Sequence, residues 1–191
     1  MLYELRAYDL MPGKGPEYLD LFCKDGIQYV TRHLPMAGYW LTDSGVLNRL
    51  YHLWIYESLD ERLACRARLA ADHDWNGRFV PKGFPLIMSQ KNMIMDVLEA
   101  TPVLEQVTRN RVQTHVAIAP GASIFADSYQ SLVFGTPDIG GELVGKWRVI
   151  SGENVGEVVW LYSHEASDPL ATGAGADRHE LLRPISLSPL R

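Results

Sequence analysis

Gly38 to Tyr56, GYWLTDSGVLNRLYHLWIY, reads as two apolar-rich strands joined by a turn that holds Ser44 and Gly45. Side chains alternate across a strand, so Tyr51, Leu53 and Ile55 share one face of the second strand, and His52, Trp54 and Tyr56 share the other. Neither face is polar enough to be left in water. A hairpin of this kind needs a layer on both sides, and the flanking sequence must supply them.

On the N-terminal side, Leu2 to Leu10 alternates as a strand, with Tyr3, Leu5 and Ala7 on one face and Leu2, Glu4, Arg6 and Tyr8 on the other. Pro16 suits the first position of a helix that is expected to run to about His33, with Leu19, Phe22, Cys23, Ile27 and Val30 as its apolar stripe. On the C-terminal side, Ser58-Leu59-Asp60-Glu61 has the form of a capping box and opens a second helix with a stripe at Leu59, Leu63, Arg66, Ala67 and Ala70. Phe84 to Val97 supplies a fourth strand. The order strand, helix, strand, strand, helix, strand is the ferredoxin-like arrangement, in which both helices cover one sheet face. The other face then requires a second sheet.

A fainter copy of the hairpin provides one. Gly145-Lys146-Trp147 aligns with Gly38-Tyr39-Trp40, Ser151-Gly152 with Ser44-Gly45, and Trp160-Leu161-Tyr162 with Trp54-Ile55-Tyr56. The expected fold is therefore α+β: two ferredoxin-like (βαββαβ) halves, residues 1–98 and a degenerate repeat 103–191, packed sheet to sheet as an α+β barrel. The halves pair within the chain or between copies. In the repeat, Val103 to Arg109 reads as the first strand, Ile124 to Phe134 as a weak helix, and Leu181 to Leu187 as the last strand. Ala166 to Asp177, rich in Gly and Ala, stands for a shortened helix or a loop.

Composition narrows the function classes. The formal net charge is −5 and no basic run with interleaved aromatics occurs, which argues against nucleic acid. Cys23 and Cys65 make no CxxC pair, no apolar run approaches the length of a membrane span, and the chain opens directly on a strand. A cytoplasmic protein off the membrane is expected. The six histidines form no metal-ligand spacing, and no glycine-rich stretch joins a strand to a helix as a phosphate loop would.

YELRAYDLMPGKGPEYL at Tyr3 to Leu19, RHL at Arg32 to Leu34 and the segment Gly38 to Arg62 resemble the NIPSNAP family. The resemblance implies a domain of the dimeric α+β barrel superfamily, whose members include cofactor-free monooxygenases, polyketide cyclases, lactone isomerases and haem-degrading enzymes. It further implies a homodimer or higher homo-oligomer. Animal members are linked to mitochondria, a location not expected to carry over to a sequence that opens on a strand.

With the sheets face to face, Glu4, Arg6, Tyr8, His52, Trp54 and Tyr56 would line the barrel, joined by Trp160 and Tyr162 from the repeat. An imidazole titrates near neutral pH, so His52 is the candidate acid or base, Glu4 its orienting group, and Arg6 the holder of a carboxylate or enolate oxygen. These residues point to a cofactor-independent isomerase, cyclase or monooxygenase acting on a small hydrophobic or aromatic carbonyl compound. The alternative is a non-catalytic small-molecule or haem-binding protein, with His52 as the haem ligand. In the plainest case Glu4 and Arg6 simply pair on their strand and His52 is an interior histidine. At the repeat offset His52 corresponds to Val158, and His164 lies two residues past Tyr162, near the strand end where exposure is expected.

Overall fold

The computed structural model describes residues 1–138, 140–164 and 174–191. Eight strands close a barrel: β1 (Leu2–Leu10), β2 (Met36–Ser44), β3 (Arg49–Tyr56), β4 (Ile87–Ala100), β5 (Tyr129–Asp138), β6 (Glu142–Gly152), β7 (Val158–His164) and β8 (Ala174–Pro184). Around the barrel they run β1-β3-β2-β8-β5-β7-β6-β4, and every neighbouring pair is antiparallel. The ring closes within one chain, because β2 pairs with β8 and β4 with β6. No helix among the described residues is long and apolar enough to cross a membrane.

The first half follows the expected order. α1 (Gly15–Leu21) has Pro16 in its first turn and continues through a π-helical turn, Phe22–Gly26, into α2 (Ile27–Val30). The predicted stripe Leu19, Phe22, Cys23, Ile27 and Val30 is buried along it. α3 (Leu59–Ala70) starts at Ser58, whose Oγ accepts from the Glu61 amide at 3.1 Å, while Glu61 reaches back to the amide of Glu57. A second π-helical turn, Trp75–Phe79, leads into α4 (Val80–Gly83). Asn48 takes a positive φ of 58° in the hairpin, and its Oδ1 accepts from the amides of Gly13 and Gly15, which ties the β1–α1 turn to β3.

The face of α3 differs from the expected one. Leu59 and Leu63 are 56% and 61% exposed, whereas Cys65 and Leu69 are buried and Arg62 and Arg66 half-buried on the same side. Arginines turn inward here because a buried carboxylate, Glu4, lies beneath them.

The sheet layers are also the reverse of the expected ones. Tyr3, Leu5, Ala7, Tyr51, Leu53 and Ile55 point into the barrel with Trp40, Trp147, Leu132 and Leu161. Tyr8, Trp54 and Tyr56 pack instead with Tyr18, Phe22 and Ile27 of the helices. The strand parity was legible; the side each parity faces was not, since both faces are apolar and period two carries no sign. The barrel is a filled core. The void among Leu5, Trp40, Tyr51, Leu53, Met95 and Trp147 measures about 10 Å³, at most one water.

In the repeat, Pro102 to Arg109 is not a strand but a helix, α5, capped by Thr101, whose Oγ accepts from the Leu104 amide at 3.4 Å. Leu104 and Val107 press it onto the barrel core, a helical spacing that a run of branched residues disguised. The helix expected at Ile124 to Phe134 gives way to β5, and the last strand starts earlier, at Ala174. β5 ends at Asp138 and β6 starts at Glu142. Of the glycine-rich stretch, 166–173 lie outside the described residues, and the remainder belongs to β8.

The matched Gly-x-Trp motifs have a shared cause. A Cβ on Gly38 would stand 1.9 Å from the Trp40 ring, and one on Gly145 2.6 Å from the Trp147 ring. Each indole folds back over its glycine inside the barrel, and a side chain there would evict it.

Candidate functional site

Pairing registers place the site residues before any side chain is considered. Asn92, Arg6, His52 and Tyr39 are mutually opposite neighbours across β4, β1, β3 and β2, so they form one row on the helix side of the sheet. Glu4 lies one step along β1, opposite Trp54. Above this row, between sheet and helices, is a cavity of about 250 Å³. Its walls are Tyr8, Tyr18, Phe22, Tyr39, Trp54, Trp75 and Phe84 with Val30, Leu34 and Leu69, and its polar edge is Arg6, Arg66, Gln90 and His52.

Both π-helical turns belong to the wall. Trp75 stacks on Phe79 with ring centroids 4.7 Å apart, and Phe79 is seated where Gly26 and Gly83 leave room, since a Cβ on either would lie within 2.8 Å of its ring. An extra residue in a helical turn re-aims the side chains that follow it, and such turns recur at functional sites.

Glu4 is fully buried and saturated. Its Oε1 accepts from Arg62 at 2.8 Å, Asn92 at 2.9 Å and Arg6 at 3.2 Å, and its Oε2 from Arg66 at 2.8 Å. Burial alone would raise its pKa; the hydrogen bonds and charges of Arg62 and Arg66, with Arg6, outweigh that and hold it far below the usual carboxylate range. Glu4 is a counter-ion to arginines, and neither ring nitrogen of His52 bonds to it: Nδ1 accepts from Trp54 and Nε2 has no partner.

Trp54 is the group that orients His52. Its Nε1–H donates to Nδ1 of the imidazole at 2.6 Å. An indole can only donate, so Nδ1 is the bare nitrogen and the ring proton of the neutral form sits on Nε2. Nε2 is buried and has no partner. Burial, then the charges of Arg6 and Arg66, hold the pKa of His52 well below its usual 6.5, against a smaller opposing effect of Glu4. Tyr39 stacks on the ring at 5.0 Å and Tyr8 meets it edge-on at 4.5 Å. At neutral pH His52 thus offers a cavity ligand an N–H donor. Ligation of a haem iron through Nε2 would put the ring proton on Nδ1, against the Trp54 N–H, so an axial His52 would have to give up that hydrogen bond. Among the described residues, no three His, Cys, Asp or Glu side chains gather as a metal site.

The residues predicted from the first half therefore come together, but on the helix side and not inside the barrel. Arg6, Tyr8, His52 and Trp54 line the cavity; Glu4 and Tyr56 lie in the layer beside it. Trp160 and Tyr162 do not join them. They stack on each other at 6.2 Å on the outer face of β7, where Lys146 lies 4.0 Å over Trp160 and the indole donates to the Gly135 carbonyl at 2.9 Å. His164 is buried and not exposed, and its Nε2 shares a hydrogen bond of 2.7 Å with Ser131. Sequence reasoning missed Arg62, Arg66, Asn92, Gln90 and Trp75. Two arginines one helical turn apart above a strand carboxylate were the available signal.

Fold and site together define an α+β barrel protein with an aromatic cavity between one half of its sheet and the helices that cover it. The chain belongs to the NIPSNAP family: the family model, described as NIPSNAP, matches residues 3–102. The mouse protein NipSnap homolog 3B is 30% identical over 177 residues, covering 90% of this chain and 70% of that protein. Human NipSnap homolog 3A is 28% identical over 178 residues, covering 91% and 71%. A NIPSNAP domain protein from Burkholderia xenovorans of known structure is 34% identical with a TM-score of 0.51, and 99% of it matches only 53% of this chain. An anthrone oxidase-like protein matches 96% of this chain and 90% of its own at 9% identity, TM-score 0.54, a likeness of fold alone.

Proposed function

We propose that this protein binds a small, mainly aromatic or hydrophobic molecule in the helix-side cavity, and that it does so without proton-transfer chemistry at His52. The observation that carries this reading is the Trp54 to His52 hydrogen bond, which leaves the buried Nε2–H of His52, a cavity-lining residue, without a protein partner. A buried donor without a partner costs about 1–3 kcal/mol, a cost that a ligand acceptor would relieve. The volume of about 250 Å³ lies near the lower end of small-molecule sites, which start at roughly 300 Å³, and suits a single ring with short substituents.

The acid–base alternative requires a free base. Neither Glu4, with both oxygens taken, nor neutral His52, protonated at the cavity nitrogen, supplies one. We also infer that the halves descend from one duplicated unit. Their strand orders, β4-β1-β3-β2 and β8-β5-β7-β6, correspond position for position, and both keep a tryptophan folded over a glycine.

The test is extraction of the purified protein with organic solvent, followed by mass spectrometry, together with fluorescence titration of single-ring compounds. Saturable quenching lost in Val30→Phe, which fills the cavity while Tm is retained, supports the reading. Saturable binding that Val30→Phe leaves intact places the ligand elsewhere, and conversion of a bound compound to product by wild type but not His52→Ala restores the catalytic reading.

A further inference from the structure

The cavity has a charge deficit at one end. Three guanidiniums, Arg6, Arg62 and Arg66, converge on the single carboxylate of Glu4, and their side chains are only 15%, 18% and 26% exposed. With His52 neutral, the cluster carries two positive charges more than it neutralises. The remaining partners are uncharged: Asn92 binds Glu4, and Gln90 accepts from Arg6 at 3.1 Å. Glu57, ahead of α3, and Glu61 in its first turn pair with Arg111 instead.

Each of the three guanidiniums also keeps a buried Nε without a partner. Arg6 and Arg66 line the cavity, as does His52, which lies directly opposite Arg6 in the β1–β3 register and whose buried Nε2–H also lacks a protein partner. Half-buried cations with unused donors are costly without an anion to pair with, and a guanidinium fork matches a carboxylate in shape.

We propose that the cavity is a site for a small aromatic carboxylate, its ring among Tyr39, Phe22 and Trp75, and its carboxylate between Arg6 and Arg66 with Nε2–H of His52 as the neutral donor. The proposal rests on the binding reading above and adds the charge of the ligand. A carboxylate there would neutralise one of the two surplus charges and satisfy the donor that the protein itself leaves open. Neutral analogues would answer only the donor; cationic ones would meet two guanidiniums.

The test is a matched series on the full chain, benzoate, benzamide, benzyl alcohol and benzylamine, with phenylacetate and cinnamate to allow for length, followed by calorimetry at pH 7.5 and low salt. Expected is binding of at least one of the acids at least tenfold tighter than benzamide, weakening as salt is added, and none for benzylamine. Arg6→Gln should weaken the acids at least tenfold more than it weakens benzamide, removing that preference. Its fold is protected because Arg62, Arg66 and Asn92 still hold Glu4, and Arg6→Lys should keep part of the preference. Equal affinity for benzoate and benzamide, or an unchanged acid preference in Arg6→Gln, overturns the charge assignment and leaves the cavity reading standing. Binding of no member overturns both.

Discussion

Along β1 and β3 two surfaces lie back to back, one strand thick, and they have opposite uses. The barrel side, Tyr3, Leu5, Tyr51 and Leu53, meets the second half of the chain and leaves a void of about 10 Å³. The helix side, Arg6, Tyr8, His52 and Trp54, meets α1 to α4 and leaves a cavity of about 250 Å³ whose lining residues Arg6, Arg66 and His52 keep buried donors without partners. Adjacent residues of one strand thus serve different ends. The barrel side holds the two halves together, and the helix side is left under-packed and over-charged, which a stability-driven surface would not be.

That contrast can be broken by substitutions one residue apart. Leu53→Ala empties part of a close-packed interior and should cost about 2–5 kcal/mol in denaturant unfolding, with ligand binding intact at low temperature. Glu4→Gln removes the counter-ion of three half-buried arginines and should cost about 2–4 kcal/mol, the lower figure reflecting the arginines' partial exposure. The pH dependence has a definite sign. Because the folded-state pKa of Glu4 lies below its usual 4.5, its contribution is complete above that value and is lost as pH falls below it, so wild type should shed in acid a stability that Glu4→Gln never had.

Gly38→Ala should cost about 1–3 kcal/mol by pushing Trp40 out of its place in the barrel, measured as a lowered Tm. His52→Leu is the smallest effect on stability, within about 1 kcal/mol, because the orphaned Nε2–H is removed as Trp54 loses its acceptor. Binding of benzyl alcohol, by contrast, should weaken about three- to tenfold, the value of one neutral hydrogen bond. If Leu53→Ala and His52→Leu exchanged these outcomes, the two surfaces would have been assigned the wrong way round.

Much of this was written in the hairpin. Tyr51, Leu53 and Ile55 do share a face, His52, Trp54 and Tyr56 do share the other, and β1 and β3 are neighbours as the ferredoxin-like order requires. Which face met the helices was not legible, because alternation records parity and not direction, and tryptophan and tyrosine suit either layer. The same ambiguity placed Trp160 and Tyr162 beside His52, from which the barrel wall separates them. The partners of Glu4 were hidden for another reason. Arg62 lay outside the expected stripe of the helix and Arg66 stood in it beside Leu59 and Leu63, and only the buried carboxylate beneath the two arginines explains why both turn inward while those leucines face water. In the second half, Val103, Val107 and Thr108 lend Pro102 to Arg109 a strand-like composition, while Leu104 and Val107 keep helical spacing and Thr101 caps the segment as a helix.

The central claim is that ligands occupy the helix side of the sheet and not the barrel. The five tryptophans report on both: Trp54 and Trp75 line the cavity, Trp40 and Trp147 fill the barrel, and Trp160 lies on the outer face of β7. In protein labelled with 5-fluorotryptophan, titration with benzoate and with benzyl alcohol, followed by ¹⁹F NMR, should move the resonances of Trp54 and Trp75 and leave those of Trp40, Trp147 and Trp160 in place. Saturable shifts at Trp40 or Trp147, with Trp54 and Trp75 unmoved, would contradict it.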